Sequence, residues 1–285
     1  IPEIAAREHL EAINFVIEQS FKEANISPDE ITAFAGTVGP GLVGSLLVGL
    51  NATKTLALVY DKPFIGVNHL NSHVCANYID TDLKPPFIAL LISGGHTQII
   101  EVKSHFEQKI IGETIDDAVG EAYDKVARLI GLPYPGGPVL DKLAQEGNKH
   151  AYKLPECKAD EYDFSFSGLK TAVLRLVQKL KTENNEIPTA DICASFQECV
   201  SATLLKKVKK ALEETGYKQV VLAGGVAANS EIRRKFFELK NEGYRVNAPA
   251  MKYCTDNAAM VASCAYFSTN TFDDVDVEVF SRVKN

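Results

Sequence analysis

No stretch of this 285-residue chain approaches the 18 or more consecutive apolar residues that a membrane-crossing helix needs; the apolar runs are short and broken by Gly or Ser. The sequence therefore predicts no membrane association. No charged-then-apolar signal segment opens it, so the expected location is the cytoplasm. It starts Ile1-Pro2-Glu3 without an initiator methionine and holds only Met251 and Met260. The six cysteines (Cys75, Cys157, Cys193, Cys199, Cys254 and Cys264) form no CxxC pair, which argues against a structural zinc knuckle and for reduced thiols. Positive charge is in deficit: 30 Lys and Arg against 37 Asp and Glu give a net charge of −7. A stand-alone nucleic-acid binder is usually basic. Two local basic runs remain, Lys206, Lys207, Lys209 and Lys210, and Arg233, Arg234 and Lys235, each readable as a solvated helix face or as a contact surface. Neither GxxxxGK[ST] nor GxGxxG occurs, so neither a P-loop NTPase nor a Rossmann dehydrogenase is supported.

What is present is an ordinary globular composition, 46% hydrophobic and 24% charged. Helical apolar spacing runs through Leu10, Ile13, Ile17, Phe21 and Ala24. Strands are expected at 31–36, 63–67, 87–92, 97–102, 219–223 and 244–248. Helices are expected near 42–60, 69–78, 117–130, 138–146, 169–181, 189–214 and 229–240, with a last one from about Asp256. Strands interleaved with helices indicate an α/β fold. Lys84-Pro85-Pro86 is the clearest linker signal in the first half.

Three glycine turns follow strands: Gly39-Pro40-Gly41, Ser93-Gly94-Gly95-His96-Thr97 and Gly224-Gly225. Glycine lets backbone N–H groups approach an anion, because no Cβ intervenes. In the second turn the hydroxyls of Ser93 and Thr97 are also expected to face a ligand. The alternative for each is a plain tight turn. His69 and His73 are spaced i, i+4, within reach of one metal ion, or are simply two histidines on a helix surface. Leu70 occupies the place of the catalytic Glu of HExxH, so a zincin-type peptidase lacks its base. Asp256 is either a third ligand or, like Thr255, a helix cap. Asp117, Glu121 and Asp124 share one helix face, where like charges repel unless a cation or ligand sits there. Carboxylates beside Tyr134-Pro135-Gly136-Gly137-Pro138 would suit a pair of ribose hydroxyls.

The order of these motifs, with Asp163-Phe164-Ser165-Phe166-Ser167-Gly168-Leu169-Lys170, Ala223-Gly224-Gly225-Val226-Ala227-Ala228-Asn229 and Cys254-Thr255-Asp256-Asn257, resembles the bacterial TsaD family, tRNA N6-adenosine threonylcarbamoyltransferases related to the catalytic subunits of KEOPS. The resemblance runs from about Ile1 to about Ala265. It implies a two-lobed actin-like/Hsp70-like ATPase (ASKHA) fold, with lobe I at 1–90 plus 253–285 and lobe II at 91–252. It implies His69, His73 and Asp256 as ligands of one divalent metal, Fe2+ with Zn2+ as the alternative. It implies that Leu91, Ile92, Ser93, Gly94, Gly95, Asp124, Gly137, Asp141 and Asn229 bind an adenine nucleotide or threonylcarbamoyl-AMP. The implied reaction passes the threonylcarbamoyl group to N6 of adenosine 37 in tRNAs reading codons that begin with A, releasing AMP. Implied partners are tRNA and the proteins TsaB and TsaE. No side chain is assigned as general base. The family's opening Gly-x-Glu-Thr-Ser-Cys-Asp-Glu-Thr stretch does not occur here, so the first lobe is expected to lack its N-terminal strands. Competing readings are a small-molecule kinase of the same fold and a non-catalytic scaffold subunit.

Overall fold

The computed structural model describes residues 2–157, 159–184, 187–268 and 271–282. The end of the expected lobe I range, 283–285, lies outside them. The chain forms two compact units, one of residues 1–79 and 257–285, the other of residues 80–256.

In the first unit, β1 (Phe34–Gly39) and β2 (Phe64–Asn68) pair in parallel, joined through α2 (Val43–Val59). Phe34, Leu50, Ala57 and Phe64 form the core between them. Gly36 has no Cβ to keep Thr53 away, so α2 seats closely on the strand. α1 (Pro2–Ala24) packs on α2 through half-buried Ile13, Ile17 and Phe21, with Gly44 meeting Ala6. Leu10, expected on the buried stripe, is instead 65% exposed, and Phe15 and Val16 nearby are exposed too. α3 (His69–Cys75) and α9 (Ala258–Ser268) complete this unit, tied where the Ser263 hydroxyl donates to the Cys75 carbonyl at 2.7 Å.

The second unit is built on a mixed sheet in the order β5-β4-β3-β6-β7. Its strands are β3 (Phe87–Ile92), β4 (Thr97–Ser104), β5 (Glu107–Glu113), β6 (Gln219–Ala223) and β7 (Arg245–Asn247). All six residues of β3 are buried, as a continuous apolar run in a central strand should be. β3 and β4 are antiparallel, whereas β3 and β6 run parallel with Leu91 opposite Ala223. The helices are α4 (Val119–Leu129), α5 (Gly136–Ala144), α6 (Ser167–Asn184), α7 (Thr189–Thr215) and α8 (Ser230–Glu238). Their apolar faces form one core with the sheet, including Tyr123, Phe164, Phe166, Phe196 and Phe236. The Lys84-Pro85-Pro86 segment is pinned to the sheet, because the Gln219 side-chain amide donates to the carbonyls of Lys84 and Pro86 at 3.0 and 3.1 Å.

Candidate functional site

Since β3 and β6 are parallel neighbours, the glycine turns after Ile92 and after Ala223 leave the sheet at the same edge. That edge, beyond the carboxyl ends of parallel strands, is where open α/β sheets bind ligands. The glycines here divide into two kinds. A Cβ on Gly224 would sit 2.4 Å from the Ile92 carbonyl oxygen, and its φ is +87°, so this glycine locks one turn against the other. A Cβ on Gly120 would lie 2.6 Å from the Ser93 carbonyl oxygen, so this glycine lets α4 start against the hairpin. At Gly94, Gly95 and Gly225 a Cβ would meet nothing within 4 Å. These three present bare backbone to open space.

The hydroxyls behave differently from the expectation. Ser93 Oγ accepts the His96 N–H at 3.0 Å and shapes its own turn. Thr97 is fully buried, and its Oγ1 accepts the Val119 N–H at 2.8 Å, capping α4 where Ala118 offers no side-chain acceptor. Both hydroxyls thus serve the backbone. The first glycine turn is also not an open anion cradle: the Phe280 carbonyl lies against Gly39, and the Phe280 N–H donates to the Val38 carbonyl at 2.9 Å.

The acidic helix resolves its own repulsion. Lys125 Nζ lies 2.5 Å from Asp117 and 2.8 Å from Glu121, so the cation between those carboxylates is a lysine, whose pKa they raise. Asp117 itself precedes α4. Asp124 turns away, its Oδ1 accepting the N–H groups of Gly136 and Gly137 at 2.9 and 3.2 Å. Asp124 therefore caps α5 and fixes the Tyr134–Pro138 loop. Asp141, on α5, accepts the Ser230 hydroxyl at 2.7 Å and the Ser230 N–H at 3.0 Å. Asn229 caps α8 through Oδ1, accepting the Ile232 N–H at 3.0 Å. Its Nδ2 donates to Gln197 Oε1 at 2.9 Å, and Gln197 Nε2 donates to Asp141 Oδ1 at 2.9 Å. Tyr123 joins this network, and burial first, then the Asp141 charge, holds its hydroxyl protonated. The structure thus brings Asp141 and Asn229 together through a residue that the sequence reading missed. Gln197 lies on the buried face of α7, and an amide spaced with Cys193, Phe196 and Val200 was the available signal.

The second cluster gathers His69, His73 and Asp256, whose candidate ligand atoms all lie within 4.8 Å of one another. Asn68 starts α3 by accepting the N–H groups of Leu70 and Asn71 at 2.9 and 3.2 Å, which places His69 at the first helical position and His73 one turn on. The two rings meet edge to face with centroids 4.8 Å apart, and His73 is only 2% exposed. Asp256 stands in the peptide that enters α9, next to Asn257, whose side chain accepts the Met260 N–H at 2.8 Å. In that turn Asn257 is a cap, a role considered above for Thr255 or Asp256. Two imidazoles and one carboxylate are a donor set suited to Fe2+ or Zn2+ with open coordination positions.

Both basic runs are paired within the chain. Lys206 bonds Glu156, Lys209 bonds Glu242 and Lys210 bonds Glu161, at 2.5, 2.6 and 2.8 Å. Lys207 donates to the carbonyls of Ala159 and Glu161 at 2.7 and 2.9 Å. Arg233 donates to the carbonyls of Ala227 and Pro249, both at 2.6 Å; Arg234 pairs with Glu231 and Glu238, and Lys235 with Glu198.

The family "TsaD: tRNA N6-adenosine threonylcarbamoyltransferase" matches residues 1–263. A tRNA N6-adenosine threonylcarbamoyltransferase of Microcystis aeruginosa is 48% identical over 99% of this chain and 85% of its own length. The protein of that name from Clostridioides difficile is 48% identical over 94% of this chain and 80% of its own. Among solved structures, full-length HypF in its phosphate- and nucleotide-bound form aligns with a TM-score of 0.66 at 17% identity, over 89% of this chain and 41% of HypF. Component A of (R)-2-hydroxyglutaryl-CoA dehydratase from Acidaminococcus fermentans aligns at 0.51 and 15% identity, over 88% of this chain and 81% of that one. These likenesses show the actin-like/Hsp70-like ATPase type of α/β fold. Among the described residues no helix is long and apolar enough to cross a membrane. With nearly its whole length matched, the chain belongs to the TsaD family of tRNA-modifying transferases, the tRNA N6-adenosine threonylcarbamoyltransferases.

Proposed function

We propose that this chain transfers the threonylcarbamoyl group of threonylcarbamoyl-AMP to N6 of adenosine 37 in tRNAs that read codons beginning with A. The observation that carries this reading beyond family membership is the set of open glycines, Gly94, Gly95 and Gly225, at the shared edge of β3 and β6. Leu91 and Ile92 end the strand that aims the Gly94-Gly95 turn, and the backbone N–H groups of this turn and of the Gly224-Gly225 turn take the phosphate. Asp124, Gly137, Asp141 and Asn229 line the nucleoside part, with a carboxylate oxygen left to accept from ribose. N6 attacks the carbamoyl carbon, the bond from that carbon to the phosphate oxygen breaks, AMP leaves with the electron pair, and N6 loses a proton. Turn amides fixed by Gly120 and Gly224 hold the phosphate without reorganising as charge builds on it.

His69, His73 and Asp256 fit one divalent ion by donor type and proximity, Fe2+ with Zn2+ as the alternative. Such an ion supplies Lewis-acid polarisation of an oxygen. Partners of the TsaB and TsaE kind are part of the proposal. Two features support them: basic runs paired internally, and apolar side chains exposed on α1 and α2, among them Phe15, Val16 and Leu47. The cytoplasm is the corresponding compartment.

The test is nucleoside mass spectrometry after incubating the chain and its partners with threonylcarbamoyl-AMP and a tRNA. Threonylcarbamoyladenosine is expected in the native tRNA, and none in a tRNA with guanosine at position 37. Equal product in both would refute the position, and phosphorylation of a small molecule by ATP would favour a kinase.

A further inference from the structure

We infer that Gln197 is a positioning residue that decides which oxygen of Asp141 faces the ligand. Gln197 is 3% exposed, on the buried face of α7 beside Phe196 and Val200. A primary amide in such surroundings is costly unless both ends are bonded. Both are: Nε2 donates to Asp141 Oδ1 at 2.9 Å, and Oε1 accepts from Asn229 Nδ2 at 2.9 Å and from the Tyr123 hydroxyl at 3.4 Å. Chemistry fixes the direction of the amide. A carboxylate can only accept, so the NH2 end must face Asp141. Asn229 spends its Oδ1 on the Ile232 N–H and turns its Nδ2, which can only donate, toward Gln197, so the oxygen end must face Asn229.

Asp141 then has one oxygen filled. Oδ1 accepts both Gln197 Nε2 and the Ser230 hydroxyl, the latter at 2.7 Å, whereas among the described residues Oδ2 accepts only the Ser230 N–H at 3.0 Å. A carboxylate oxygen takes about two hydrogen bonds. A ligand hydroxyl is therefore accepted at Oδ2, in a direction set by Gln197 and Ser230 together. The same amide couples Asp141 on α5 to Asn229 at the start of α8, so two segments of the nucleoside side keep one register. This inference rests on the reading of Asp141 as a ribose ligand.

The test compares binding of AMP and of 2′,3′-dideoxyadenosine monophosphate by calorimetry. The parent chain is expected to prefer AMP by at least about tenfold, equivalent to about 1.4 kcal/mol. In Gln197→Leu that preference should fall to less than about threefold, with affinity for the dideoxy nucleotide unchanged. A merely structural defect would weaken both nucleotides alike, and that result, or an intact preference, overturns the inference. If the parent itself shows no preference, the ribose reading of Asp141 fails and the inference falls with it. Should Gln197→Leu not fold, Ser230→Ala carries the test, because the Ser230 side chain is exposed and bonds the same oxygen. A partial loss of the preference is expected there, and full retention overturns the inference.

Discussion

Replacing Asp124 separates capping from ligand binding. Its Oδ1 accepts the first two N–H groups of α5, from Gly136 at 2.9 Å and Gly137 at 3.2 Å. The preceding residue, Pro135, supplies no side-chain cap, so nothing local replaces the lost acceptor. Two bonds to a charged acceptor at a helix start, one to a buried glycine, correspond to about 2–4 kcal/mol on removal. For a chain of this size class each kcal/mol moves the melting temperature by about 2–4 °C. Asp124→Ala is therefore expected to melt about 4–16 °C below the parent by circular dichroism. Asp124→Asn keeps an oxygen that can accept both N–H groups but removes the charge. It should melt within about 3 °C of the parent while binding AMP at least about tenfold more weakly by calorimetry. An Asp124→Ala chain that melts with the parent would refute the capping argument. An Asp124→Asn chain with parental affinity would refute the ligand role.

The glycines give a paired expectation. Gly224→Ala should lower stability by at least about 2 kcal/mol, since its Cβ would strike the Ile92 carbonyl at positive φ. Gly225→Ala, with open space around it, should leave the melt unchanged and weaken AMP; similar melts for both would sink the distinction. Joint replacement of His69 and His73 by Ala should reduce bound Fe or Zn, measured by mass spectrometry on metal-loaded protein, from about one per chain to near none. Retained metal would mean that the ion binds elsewhere. Acid stability should respond to Glu198. Burial, the largest single influence, would raise its pKa, but Lys235 at 2.5 Å and Lys149 at 3.4 Å together outweigh it and hold the pKa below the ordinary 4.5. The folded carboxyl thus binds its proton less readily than the unfolded one. Its contribution is complete above about pH 4.5 and is lost as the pH falls through the lower folded value. Glu198→Gln should flatten that acid limb in urea titrations, and an unchanged limb would contradict the assignment.

Strands with continuous apolar runs were legible in the sequence: 87–92 and 219–223 have their expected bounds. β5 was missed because Glu107–Glu113 is polar and mostly exposed, an edge strand defined by its pairing with β4 rather than by its own pattern. Apolar spacing located α1 but overstated its burial at Leu10, because periodicity reports a face and not what covers it. The glycine turns were readable as turns, yet the sequence could not separate Gly224, locked on Ile92, from Gly225, which is open. Likewise Thr97 and Ser93 were assigned to a ligand when their hydroxyls bond backbone N–H groups, a choice fixed by contacts 22 and 3 residues away. The residues alone left Asp256 open between a third ligand for His69 and His73 and a helix cap, and the family resemblance chose the first. The candidate ligand atoms of the three, within 4.8 Å, come from segments far apart in the chain.

The most direct measurement is a single-turnover reaction with the threonine part of threonylcarbamoyl-AMP labelled, following the label and AMP together. Label appearing in the tRNA nucleoside at one AMP per modified adenosine is the expected result. AMP released with the label left as free threonine, and none in the tRNA, would contradict the transfer chemistry proposed for the β3–β6 edge.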